Sequence, residues 1–70
     1  MNFIRRGNNI LVNLDKVIFI DILPCKDGAV IQFVYEIDFA GRPKKAITFH
    51  YESMQQAEEA LKNIELIANL

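Results

Sequence analysis

Few side chains in this sequence could do chemistry. There is one cysteine, Cys25, and one histidine, His50. Cys25 follows Pro24 in a polar turn, beside the cationic Lys26. A thiol becomes a nucleophile where its neighbours favour the thiolate and a base takes the proton. No base for Cys25 stands out along the chain. His50 has the chemistry of a general base, but its position near a strand end is that of an ordinary surface or interface histidine. Asp21, Glu36 and Asp38 are placed by alternation on one side of their strands. Paired carboxylates divide acid and base roles when their environments differ, and that needs a pocket. A flat sheet face offers none, so these acids read as a solvated face that resists aggregation.

Other sites have less support. Lys26-Asp27-Gly28 carries one glycine and no phosphate-cradling pattern. One cysteine and one histidine fall short of the four ligands of a structural zinc. The sequence therefore points to no catalytic, cofactor-binding or metal-ligating residue, and to a protein that is not an enzyme. If it were one, Asp21, Glu36 and Asp38, or Cys25, would carry the chemistry.

The segment that must position everything else is Ala29 to Phe39. Ala29, Ile31, Phe33, Tyr35, Ile37 and Phe39 alternate with Val30, Gln32, Val34, Glu36 and Asp38. Side chains alternate faces along a strand, which predicts a central strand with a long apolar face. Val17 to Leu23 predicts a second strand, with Ile18, Ile20 and Ile22 on the core face. Asp27-Gly28 is a strong two-residue hairpin signal between them. It predicts Ile22 opposite Phe33, Ile20 opposite Tyr35 and Ile18 opposite Ile37.

Lys44 to Tyr51 predicts a further strand, with Ile47, Phe49 and Tyr51 inward. Placing Phe39 opposite Pro43 would pair Asp38 with Lys44. Near the start, Gly7-Asn8 predicts a turn, Ile10 to Val12 a short strand, and Asn13 to Lys16 a turn or one helical turn. At the other end, Ser53 and Gln56 have the spacing of a capping box. Met54, Ala57, Ala60, Leu61, Ile64, Ile67 and Ala68 recur at helical spacing. The expected fold is one α+β domain over 1–70. Its four-stranded antiparallel sheet, ββββα in element order, carries the C-terminal helix on one face.

The order of four strands and one helix resembles that of small single-stranded-DNA-binding coactivators, which dimerise and use strands as a platform. That resemblance implies a nucleic-acid binder, with Arg5, Arg6, Arg42, Lys44 and Lys45 as its basic patch if two loops meet. Stacking aromatics interleaved with basic residues are missing from the outer face, and the net charge is -1. Nucleic acid is therefore the alternative and not the main reading. The opening pattern, Phe3-Ile4, Gly7, Ile10, then Val12 to Val17 leading into a strand, resembles small uncharacterised bacterial ββββα proteins. That family implies the fold and no activity.

Seventy residues bury a modest core, so a small chain with no disulfide leans on association. The outer face should be polar, yet Val17, Phe19, Leu23, Val30, Val34 and Ala46 lie on it. The expected function is a non-enzymatic interaction module acting as a homodimer. Its contact is centred on Phe19 and Val34 with Val30, and Leu66 and Leu70 on the helix back form a second candidate surface. No apolar run reaches the length of a bilayer span, and MNFIRRGNNI lacks the apolar core of a signal peptide. A cytoplasmic protein without cofactor or membrane partner is expected.

Overall fold

The computed structural model describes residues 3–6 and 10–68, with the side chains of 66–68 excepted. Among the described residues are five strands, one 3-10 turn and one helix. They are β1 (Phe3–Arg6), β2 (Ile10–Asn13), a 3-10 turn (Leu14–Lys16), β3 (Phe19–Cys25), β4 (Gly28–Ile37), β5 (Pro43–Tyr51) and α1 (Met54–Ala68). The class is the expected α+β, but the strands form two sheets. β1 and β2 pair with each other, and β3, β4 and β5 form a three-stranded antiparallel sheet with β4 in the middle.

The single four-stranded sheet is thus corrected. Phe3 and Ile4, which the alternation assigns to no strand, begin one that takes β2 as its partner, Ile4 opposite Val12. The 3-10 turn then carries the chain away from that pair. Asn13 drives the turn by accepting the Asp15 N–H on Oδ1 at 3.0 Å. The turn expected at Gly7-Asn8 lies outside the described residues.

The core lies on one face of the larger sheet. Ala29, Ile31 and Phe33 of β4 are fully buried there, with Phe49 of β5 and Ala57 and Ile64 of α1. Ile4 and Val12 join the same cluster, so the small hairpin and the helix share the covering of this face. The rings of Phe33 and Phe49 meet at 4.9 Å and 59°. The helix starts as its residues dictate. Ser53 Oγ accepts the Gln56 N–H at 3.1 Å, and Gln56 Oε1 accepts the N–H of Glu52 at 3.2 Å. In a capping box that second bond would go to the cap residue's own N–H, so this one is shifted by one residue.

Both hairpins of the large sheet are two residues out of the expected register. Cys25 pairs with Gly28, so Lys26 and Asp27 make the turn, and Ile20 lies opposite Phe33 and Ile22 opposite Ile31. Ile37, not Phe39, lies opposite Pro43. A slip of two keeps each side chain on its face, because the period is two. It does change partners. Glu36, rather than Asp38, pairs with Lys44 at 3.3 Å and with Lys45 at 3.8 Å. Asp38 instead closes the next turn, accepting the N–H groups of Ala40 and Arg42 at 2.9 Å each.

The apolar face of β4 is shorter than its sequence. Val34 pairs with Ala46 and Glu36 with Lys45, which leaves Tyr35 without a partner and breaks the ladder. Beyond that irregularity Tyr35 and Ile37 are 42% and 40% exposed, and Phe39 is wholly in solvent. At the other end of the hairpin, Ile18 lies just ahead of β3 and is exposed, while Val17 packs against the core. The two exchange their expected places because the alternation begins only where the strand does.

Candidate functional site

The structure brings together three residues that the sequence leaves unconnected. Cys25 ends β3, Asp27 belongs to the two-residue turn, and His50 lies near the end of β5. Cys25 Sγ donates to Asp27 Oδ1 at 3.5 Å. His50 Nε2 lies 3.3 Å from the same oxygen. All three donor atoms are within 4.8 Å of one another. The group is open to water: the Asp27 and His50 side chains are 80% and 47% exposed.

Local backbone explains the convergence. β4 lies between β3 and β5, so a β3 side chain meets one from β5 only by reaching over it. The turn at Lys26-Asp27 supplies that reach. Gly28, next in the chain, has φ +143° and lies so close to the end of β5 that a Cβ on it would stand 2.1 Å from the carbonyl oxygen of Tyr51. Only glycine allows this approach of the hairpin tip to β5. From the other side Arg6 fixes the backbone of His50, donating from Nη2 to its carbonyl at 2.6 Å. The same guanidinium lies over the rings of Phe49 and Tyr51, 4.9 and 4.5 Å from their centroids.

The electrostatics follow the contacts. The Cys25 hydrogen bond, then the bond and charge attraction from His50, hold the Asp27 carboxyl below its ordinary range. As a nucleophile system the order of groups is wrong. A working triad sets the imidazole between nucleophile and carboxylate, so that the imidazole takes the proton. Here the carboxylate stands between thiol and imidazole, and it is a poor base. What the arrangement offers is three donors of different kinds (sulfur, nitrogen and oxygen) converging on one point.

The other candidate residues are not brought together. Asp21 lies opposite Gln32 in mid-sheet, Glu36 is occupied by two lysines, and Asp38 caps its own turn. The basic patch divides. Arg6 sits by His50 at the end of β5, whereas Arg42, Lys44 and Lys45 lie at its beginning. From Pro43 to His50 a strand covers about 23 Å, so Arg5 and Arg6 do not join the lysines.

The outer face is less apolar than the alternation implies. Val34 is fully buried within the chain, with Phe19 and Ala46 as its cross-strand neighbours, so it cannot centre a contact. Phe19 and Leu23 remain 37% and 41% exposed, and Val30 is half-buried. The Leu66 side chain and Leu70 lie outside what the structure describes.

Along the sequence Cys25 and His50 stand apart, and Asp27 reads only as a turn residue. The one signal that could have joined them was strand order: alternation puts Cys25 and His50 on the same outer face. No family model matches the chain, and no curated protein or solved structure matches it either.

Proposed function

We propose that this protein is a non-enzymatic interaction module that acts as a homodimer through the open face of its three-stranded sheet. One observation carries the reading. Phe19 and Leu23 stand exposed on the face away from the helix, and between them lies Asp21, whose Oδ1 is out of solvent without a hydrogen-bond partner. An apolar pair in contact with water costs free energy, and that cost falls when a second copy covers it; the Asp21 oxygen gains only where the second copy brings it a hydrogen-bond donor. A two-fold contact makes the same patch serve as both halves. The interface centres on Phe19, Leu23 and Val30.

Nucleic-acid binding finds less support, because the two groups of cations lie at opposite ends of β5. The test is light scattering at tens of micromolar on the wild type and on Phe19→Glu with Leu23→Glu. A dimeric wild type and a monomeric, folded double variant are expected. A monomeric wild type, or a double variant that stays dimeric, overturns the reading.

A further inference from the structure

We propose that Cys25, Asp27 and His50 form a binding site for a divalent transition metal of the zinc type. In a tetrahedral site with metal–sulfur bonds of about 2.3 Å and metal–nitrogen or metal–oxygen bonds of about 2.0–2.1 Å, neighbouring ligand atoms stand roughly 3.4–3.6 Å apart. The sulfur lies 3.5 Å from the Asp27 oxygen, and the imidazole nitrogen 3.3 Å from it. The third separation is at most 4.8 Å, within a side-chain rotation of closure. Two of the three separations already match a tetrahedral site, and metal binding sets the third by drawing the sulfur and the imidazole nitrogen to the same centre.

The donor set selects the kind of ion. Thiolate and imidazole suit zinc, cobalt and copper, whereas calcium and magnesium demand oxygen ligands. Binding releases the Cys25 proton to solvent, so the site offers one thiolate, one carboxylate and a neutral imidazole. Those two negative charges balance a divalent cation. Three protein ligands leave one tetrahedral position for water or for a donor from elsewhere. The framework is fixed on both sides, by Gly28 packed against Tyr51 and by Arg6 bonded to the His50 carbonyl. Such support of ligands by their neighbours is typical of metal sites.

The experiment titrates the reduced full chain with Co²⁺ and follows cobalt–thiolate charge-transfer absorption in the near ultraviolet. The expected result is a band that saturates at one metal per chain, is abolished by Zn²⁺ and is unaffected by Mg²⁺ or Ca²⁺. Cys25→Ser loses the band, and His50→Ala and Asp27→Asn weaken binding, each with unchanged circular dichroism. The three side chains lie at the surface, so these variants are expected to fold. Absence of the band in the wild type overturns the proposal. So does a band that forms at one metal per two chains and survives His50→Ala, which would assign the metal to thiols of separate chains.

Discussion

Asp27 Oδ1 and His50 Nε2 lie 3.3 Å apart although 23 residues separate them in the chain. The contact bridges the tip of one hairpin and the end of the last strand, β5, passing over β4. It ties the acid response of the protein to a site at its surface.

The Asp27 carboxyl titrates below the ordinary carboxylate range, held there by the Cys25 thiol and by His50. A carboxyl depressed in the folded state stabilises the fold above its unfolded pKa. That contribution is lost as pH falls through the folded value. The loss therefore falls in the acid limb, below about pH 4. Proton-coupled carbon shifts of the Asp27 carboxyl measure it. Cys25→Ala and His50→Ala should each move the titration upward, because the thiol hydrogen bond and the imidazole's bond and charge each hold the carboxyl down. An unmoved titration in both variants would mean that the contacts do not form in solution.

Gly28→Ala should destabilise the protein strongly. The added Cβ meets the backbone oxygen of Tyr51 at 2.1 Å, and φ +143° is hostile to any L side chain. Backbone strain alone costs about 1–3 kcal/mol, and the clash adds to it. A melting temperature lower by roughly 10 °C or more is expected for a domain of this size. Gly41→Ala is the control. Its φ is +84° but nothing lies within 4 Å, so it should lose the strain contribution and no more. Equal losses in both variants would show that the close approach at Gly28 has no energetic weight.

Arg6→Ala removes a guanidinium that covers two rings and bonds the His50 carbonyl. A partly shielded cation–π contact and a charged hydrogen bond together suggest a loss of roughly 1–3 kcal/mol. Arg6→Lys should recover only part of it, because an ammonium does not spread over both rings. Chemical denaturation of the three proteins checks the order. A Lys variant as stable as the wild type would reduce the role of Arg6 to its charge.

By itself the sequence determined what depends on near neighbours. The alternation from Ala29 to Phe33 set one face of the central strand. Asn13 made its 3-10 turn, and Ser53 with Gln56 started the helix. From Phe19 to Leu23 and from Ala29 to Phe33 facing survived the failure of register, because a slip of two residues returns a side chain to its own side. Tertiary structure decided what depends on distance. Ile4 found Val12 and drew the first two strands into a separate sheet. The irregularity at Tyr35 turned the far end of the central strand out to solvent. Cys25 and His50 met because the hairpin tip carries Asp27 across β4 to the end of β5. Periodicity is a property of a segment, whereas register is settled by all the contacts of the two strands together. A residue such as Gly28 shows its purpose only once Tyr51 is beside it.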